Sequence, residues 1–531
     1  MLELLKKLRI NFYTRTLNNI DHLADEIHKD GVSSIFGIPG SGPTLSLIDS
    51  LESKGIPFYL TQFEGTGALM AATIGRLRNK AGVSLSIKGP GLTNALPGIA
   101  AAWFESFPLV HLSEATPVNA PSFVAHKRIN QESLCRAITK SSGYLGAASG
   151  TFANLSEIAT SEVPGPVLLQ LTENNSKDAT PGKSIAEANN PLRKELRSII
   201  QKSSSPIIIA GTLAIRKGWT KQLSGLSIPV FSTASAKGVI DENLPHAAGV
   251  YTGVGLTLTP ESSLFDTCDL VIGLGLTAKE VLSVKPFNVT SINLEVVDNE
   301  GSDGFRFNAR LRSTEFDEIV DILAVKSWGI DLLSIKLTQL LDKLESDFLP
   351  GRVYRAIQQF YGGKVRMVMD TGYFCTIGEH SWKAIRHDWC LLSGQGRYMG
   401  TCIPMAIAAS IYDAQVPTIA VVGDGGIGMY LSEIKLAVRL KLPFLLILMS
   451  DNSFGSIRTR AIKDGLTQKA LIMDGNSWVP VLNGFGVPGA HAENENEMAA
   501  ALKSWDRNTG PAFIEISFNP TTYQEMVLDI R

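Results

Sequence analysis

The chain has 531 residues, with 49 Lys and Arg against 51 Asp and Glu, a net charge of −2, 44% apolar and 19% charged residues. That balance excludes a disordered chain and gives neither nucleic acid nor an anionic membrane surface a complementary charge. Length alone allows about three domains of roughly 100–200 residues, and no apolar run reaches the ~18 residues a spanning helix needs.

Residues 1–10 mix Leu with Lys and Arg and carry Glu3. They read as a short extra helix rather than a secretory signal. Five cysteines (Cys135, Cys268, Cys375, Cys390, Cys402), odd in number and without a CxxC pair, fit a reduced, cytoplasmic setting with no zinc site. The 48 glycines suit an α/β chain with many strand-to-helix turns.

In chain order, Ile20, Leu23, Ala24 and Ile27 share one helical face, and Gly31 ends that helix. Short apolar runs at 32–37, 57–62, 83–87 and 167–171 read as buried strands, with a helix of small residues over 67–77. Residues 174–190 are polar, hold Pro and Gly, and read as a linker. Further strands are expected at 206–210, 229–233, 270–274 and 291–294. A partly charged helical connector over 326–351 leads to strands at 365–369, 418–422, 444–449 and 512–516. The expected fold is α/β, with three doubly wound parallel-sheet domains at 1–178, 191–326 and 345–531.

The densest chemical signal lies in the last segment. A buried strand ends at Val422, and Gly423-Asp424-Gly425-Gly426 then turns the chain with few side chains in the way. A helical stretch follows through Leu431, Ile434, Ala437 and Val438. Leu442-Pro443 stops it, and a second strand leads to Ser450-Asp451-Asn452-Ser453. In a right-handed βαβ unit both strands end on the same sheet edge, so Asp424 and Asp451 can meet although 27 positions apart. Two carboxylates there suit Mg²⁺, which takes a few protein oxygens plus phosphate and water. The helix start offers free N–H groups to phosphate.

This segment resembles the diphosphate-binding motif of thiamine-diphosphate enzymes of the acetolactate synthase and pyruvate decarboxylase superfamily. That motif opens with Gly-Asp-Gly and closes nearly thirty residues later, usually with Asn-Asn. Here Ser450-Asp451 stands in place of Asn-Asn. The resemblance makes Asp424, Asp451 and the Ser453 carbonyl the metal ligands, with Gly423, Gly425 and Gly426 at the diphosphate. Met399, 25 residues before Asp424, matches the bulky apolar residue that bends the cofactor. Glu64, after a strand and at a helix start, matches the glutamate that hydrogen-bonds the aminopyrimidine ring. A carboxyl shares a proton with that ring and so helps remove the thiazolium proton. Weaker matches at 87–94, 107–113, 138–140, 165–167 and Lys237-Gly238 extend the resemblance over most of 21–520.

The family builds its site from two subunits, which implies a homodimer or homotetramer. Its central domain sometimes binds FAD. The only related features here are Gly273-Leu-Gly275 and Gly182-Lys183-Ser184, neither of them a nucleotide fingerprint, so FAD is expected to be absent.

The reaction is less legible. Counting back from Lys140, the Phe-Gln-Glu of acetolactate synthases becomes His126-Lys127-Arg128, and no His-His pair of the decarboxylase kind exists. His126 is a candidate acid–base group, Lys127 and Arg128 candidates for a substrate carboxylate, and Ser41 a candidate substrate contact. Arg458 and Arg460 read as surface charges. The expected reaction is decarboxylation of a 2-oxo acid followed by ligation to an aldehyde or ketone. Simple decarboxylation with aldehyde release, or a catalytically silent cofactor-binding homologue, is the alternative. Of a nicotinamide dehydrogenase only the α/β pattern fits.

Overall fold

A computed structural model describes residues 19–116, 127–145, 151–172, 194–253, 258–277, 280, 287–297, 307–473 and 475–527. The chain divides into two units, one formed by residues 1–184 and 407–412 and the other by the remainder. Between them they hold three six-stranded sheets in which every pair is parallel.

The first unit contains β1 (Ile35–Ile38), β2 (Phe58–Leu60), β3 (Gly82–Ser86), β4 (Leu109–Glu114), β5 (Ser142–Tyr144) and β6 (Pro166–Leu171), in the order β2-β1-β3-β4-β6-β5. β3, β4 and β6 are buried at every position, as strands covered on both faces must be. One core joins Ile20, Leu23, Ala24 and Ile27 of helix 19–29 to Val83, Leu85, Val110 and Leu112. The predicted strand at 32–37 starts later, at Ile35.

The second unit holds two sheets. The central one has β7 (Pro206–Ala210), β8 (Val230–Ser232), β9 (Ala247–Val250), β10 (Leu270–Leu274), β11 (Thr290–Glu295) and β12 (Ala309–Arg312), in the order β12-β11-β10-β7-β8-β9. The last has β13 (Arg366–Met369), β14 (Cys390–Leu392), β15 (Thr418–Gly423), β16 (Phe444–Ser450), β17 (Gly489–Ala492) and β18 (Ala512–Ser517), in the order β14-β13-β15-β16-β18-β17. The connector expected over 326–351 contains the helix Ile330–Leu344, and the helix Pro350–Tyr361 follows it.

Each sheet starts on an inner strand, runs to one edge and then crosses to the other side of its first strand, which makes a point where the order reverses; in the first and last sheets the final two strands add an inward step, β5 lying outside β6 and β17 outside β18. These points lie between β1 and β3, β7 and β10, and β13 and β15. In open parallel sheets, ligands enter the crevice outside the strand ends at such a point.

The two domains of the second unit share a buried ion pair. Lys237 Nζ lies 2.6 Å from Glu242 Oε2 and also donates to the Glu379 carbonyl at 2.9 Å. The Ala384 amide donates to the same Glu242 oxygen at 2.7 Å. All five cysteines are buried and unbridged. Among the described residues no helix is long and apolar enough to cross a membrane. The predicted linker 174–190 and residues 1–10 lie outside the described residues.

Candidate active site

At the β13/β15 reversal the second unit has an open pocket. Gly423, Asp424, Gly425 and Gly426 line one side with Asp451, Ser453 and Gly455, and Thr371, Gly372, Tyr373, Phe374 and Met399 line the other. β15 and β16 run in parallel register with Gly423 opposite Met449, which brings the two acidic loops to one edge. Asp424 opens the helix Asp424–Tyr430, and no side chain caps that helix start. Its first amides are therefore left for another partner. The apolar stretch after it, which the sequence reads as one helix, is a 3₁₀ turn Leu431–Glu433 and a second helix, Ile434–Leu440.

The two aspartates meet as the spacing predicts. Ser450 Oγ donates to Asp424 Oδ1 at 2.6 Å, and the amides of Asp451 and Asn452 donate to Oδ2 at 3.0 and 3.1 Å. Asp451 accepts from the Ser453 amide at 3.2 Å and from Ser453 Oγ at 2.9 Å. Burial pushes Asp424 up to about 6 against the pull of these donors, and the charge of Asp451 adds to the rise. Asp451 is also raised, chiefly by burial. A buried and a half-buried carboxylate, each costly to ionise, form a donor set that a divalent cation would relieve.

Positions 425 and 426 of the turn admit only glycine. A Cβ on Gly425 would stand 2.6 Å from the Phe454 ring, and one on Gly426 would stand 2.1 Å from Asp370 Oδ2. Met399 is held at both flanks. Thr371 Oγ1 donates to the Tyr398 carbonyl at 3.0 Å, and the Gly400 amide donates to Asp370 Oδ2 at 2.7 Å. Asp370 is fully buried, its Oδ1 has no hydrogen-bond partner, and burial raises it to about 7. Sequence reasoning missed this residue. Its signal was an acidic side chain directly after a buried strand.

In the first unit Glu64 is the first residue of the helix Glu64–Arg78 and is 8% exposed. Asn94 Nδ2 donates to Glu64 Oε2 at 3.2 Å. Asn94 stands on the helix Pro90–Glu105, whose Gly98 lies so close that a Cβ would meet the Gly65 carbonyl at 1.9 Å. Small residues thus let the two helices approach and set Glu64 at their shared end.

The remaining candidates fare differently. His126 lies outside the described residues. Lys127, Arg128 and Ser41 are exposed, and Lys127 adopts φ +62°. The residue that does reach the sheet edge is Gln131. It is buried, accepts from the Gly89 amide at 3.0 Å and donates to the Glu114 carbonyl at 3.1 Å. Its signal was the Gln131-Glu132 pair, which falls closer to Lys140 than the spacing used to choose His126. Thr44 Oγ1 donates to Glu114 Oε1 at 2.7 Å at the same edge. Arg460 is exposed and pairs with Asp464, whereas Arg458 is half-buried, bonds Gln468 Oε1 at 3.1 Å, and its charge opposes the rise of Asp451.

Fold and site together define an α/β protein with an open crevice at the order reversal of its last sheet. Residues 18–134 match the family "Thiamine pyrophosphate enzyme, N-terminal TPP binding domain", 193–300 match its central domain and 370–516 match its C-terminal TPP binding domain. The chain belongs to the thiamine pyrophosphate-dependent enzymes. Its relatives include a "Probable acetolactate synthase large subunit" of Methanocaldococcus jannaschii, 24% identical over 94% of this chain and 92% of that protein. "Acetolactate synthase" of Bacillus subtilis is 23% identical over 95% of this chain and 93% of that protein. "Acetolactate synthase isozyme 2 large subunit" of Escherichia coli is 22% identical over 95% of this chain and 96% of that protein.

Proposed function

We propose that this enzyme decarboxylates a 2-oxo acid and joins the remaining carbons to a second carbonyl compound, an aldehyde or ketone. The observation that carries the reading is the open pocket in which Asp424, within a glycine-rich turn, and Asp451 converge with Met399. Likeness to acetolactate synthases along nearly the whole chain supports ligation over simple aldehyde release. The retained Glu64 and Asp424 argue against a silent homologue.

When bound, thiamine diphosphate supplies a carbon nucleophile next to a cationic ring that accepts electrons as carbon dioxide leaves. The chain's own contributions are distinct. Asp424, Asp451 and the Ser453 carbonyl would hold Mg²⁺, and the amides of Gly425 and Gly426 would hold the diphosphate. Met399, on the pocket wall, would pack against the bound cofactor. Glu64 holds a proton at the pyrimidine ring nitrogen, kept in place by Asn94. His126, Lys127, Arg128 and Ser41 remain the candidates for substrate contact. We place the domain limits at 1–178, 191–326 and 345–531. The working assembly is a homodimer or homotetramer in the cytoplasm, with Glu64 of one copy serving the diphosphate pocket of another.

The test is incubation with thiamine diphosphate, Mg²⁺ and a panel of 2-oxo acids, with and without carbonyl acceptors, beside Glu64→Gln. Cofactor-dependent carbon dioxide release with a ligated product, lost in the variant, is the expected result. Aldehyde as the sole product would replace ligation with simple decarboxylation, and no cofactor binding would overturn the reading.

A further inference from the structure

The central sheet is wound differently from the last one, but it too has a point where the strand order reverses, between β7 and β10. In the last sheet the corresponding crevice is open; in the central sheet it is filled from within. The Glu280 carboxylate accepts from the Thr212 amide at 2.7 Å and from Thr233 Oγ1 at 2.8 Å through Oε1, and from the Thr277 amide at 2.7 Å through Oε2. Thr212 follows β7, Thr233 follows β8 and Thr277 follows β10, so one side chain collects donors from the ends of three strands. Backbone amides that converge at this point of a doubly wound sheet are what a nucleotide's phosphates use.

The loops are also closed on each other. The Leu213 amide donates to the Gly275 carbonyl at 3.0 Å. A Cβ on Gly275 would stand 2.3 Å from the Ala214 nitrogen, and one on Gly211 would stand 2.5 Å from the Gly275 carbonyl oxygen and 2.6 Å from Glu280 Oε2. Two more buried carboxylates on this edge are turned inward. Glu261 takes the amides of Thr252 and Gly253 after β9. Glu295, which ends β11, lies 3.4 Å from Arg310 Nη1. An acidic residue at a strand end could serve a ribose, but this one faces an arginine of the neighbouring strand.

We propose that Glu280 is a built-in anion that takes the place of a nucleotide phosphate, so that the central domain holds no FAD and no adenine nucleotide. The domain is then a structural body stabilised by its own carboxylate. The inference concerns a sheet that the proposed reaction does not use, and it stands or falls apart from that reading.

The test uses the full chain in phosphate-free buffer. Protein as purified is denatured and its supernatant assayed for flavin and adenine nucleotide, and thermal midpoints are read with and without ADP, FAD and inorganic phosphate. The wild type is expected to release neither compound and to show no shift with any of the three. Glu280→Ala uncovers the donors, so its midpoint is lower but rises by several degrees in phosphate. Flavin or adenine nucleotide released in proportion to protein, or a wild-type shift with ADP or FAD, overturns the proposal. So does a folded Glu280→Ala that phosphate leaves unmoved. Should that variant not fold, the wild-type assay decides alone, and thiamine diphosphate binding measured in parallel reports on the other reading.

Discussion

Asp424 Oδ2 accepts the Asp451 amide at 3.0 Å, which fixes two acidic residues from adjacent parallel strands on one pocket wall. Asp424 is raised from 3.8 to about 6, so the folded apo protein binds a proton there that the unfolded chain has released. The sign follows: this group's stability contribution is full below about pH 4 and is lost as pH rises through about 6, up to about 3 kcal/mol in all. Thermal midpoints of the apo wild type should therefore fall relative to Asp424→Asn across that window. Mg²⁺ with thiamine diphosphate should reverse the fall in the wild type only. Parallel curves without ligand would show that Asp424 is not strained by its burial.

Gly426→Ala should destabilise the chain by about 1–3 kcal/mol and weaken cofactor binding, because the new methyl group meets Asp370 Oδ2. Gly484 is the control. It closes the helix Val479–Gly484, and nothing lies within 4 Å of its Cβ position. Gly484→Ala should be neutral or stabilising by up to about 1 kcal/mol. Urea unfolding of both variants, with cofactor titration by tryptophan fluorescence, separates the two effects.

Asp370 accepts the Gly400 amide while its other oxygen is unpartnered, and its carboxyl is raised to about 7. An amide can accept the same bond without charge. Asp370→Asn should match the wild type near pH 4 and become the more stable protein as pH rises to about 7, by at most about 4 kcal/mol. Asp370→Ala leaves the Gly400 amide unmet and frees the loop that carries Met399. It should lower cofactor affinity, whereas Asp370→Asn should restore it. Equal affinities in the two variants would show that the bond does not position Met399.

The last sheet and its glycine turn were legible because the signals were local: apolar runs long enough to be buried, then glycine and aspartate at the strand end. Predicted and observed strands agree closely at β7, β10, β15, β16 and β18. Inner β4 was matched only through the resemblance at 107–113, and the wholly unread strands β5, β9, β12, β14 and β17 lie at sheet edges. Packed on one side only, they need no unbroken apolar run, and Ser142–Tyr144 or Gly489–Ala492 carries no strand signature of its own. Asp370, Gln131 and Glu280 were hidden for a different reason. Each acts through backbone amides that are brought to it only by the fold, and no sequence spacing encodes that meeting.

The Lys237–Glu242 pair is buried on both sides, and the Ala384 amide and the Glu379 carbonyl complete it. Removing one partner leaves a charge with nowhere to go, so Lys237→Met or Glu242→Leu alone should each cost about 3–5 kcal/mol. The double variant should cost clearly less than the sum, since it leaves no stranded charge. A double-variant cycle by urea unfolding measures this, and additive losses would mean that the pair is not coupled.

Glu64 and Asn94 give the sharpest separation of chemistry from stability. Gln in place of Glu64 still offers Asn94 an acceptor but has no proton to share with a ring nitrogen. Glu64→Gln should fold with an unchanged midpoint and lose roughly 10²–10⁴-fold in turnover, the range of general acid–base catalysis. Asn94→Ala removes one hydrogen bond to the carboxyl, at 3.2 Å, while leaving the carboxyl itself in place. It should cost about 1 kcal/mol of stability and a smaller share of turnover, because Glu64 is then less well placed but still able to hold the proton. Combining the two changes should reduce turnover no further than Glu64→Gln alone. A further drop in the double variant would give Asn94 a task of its own.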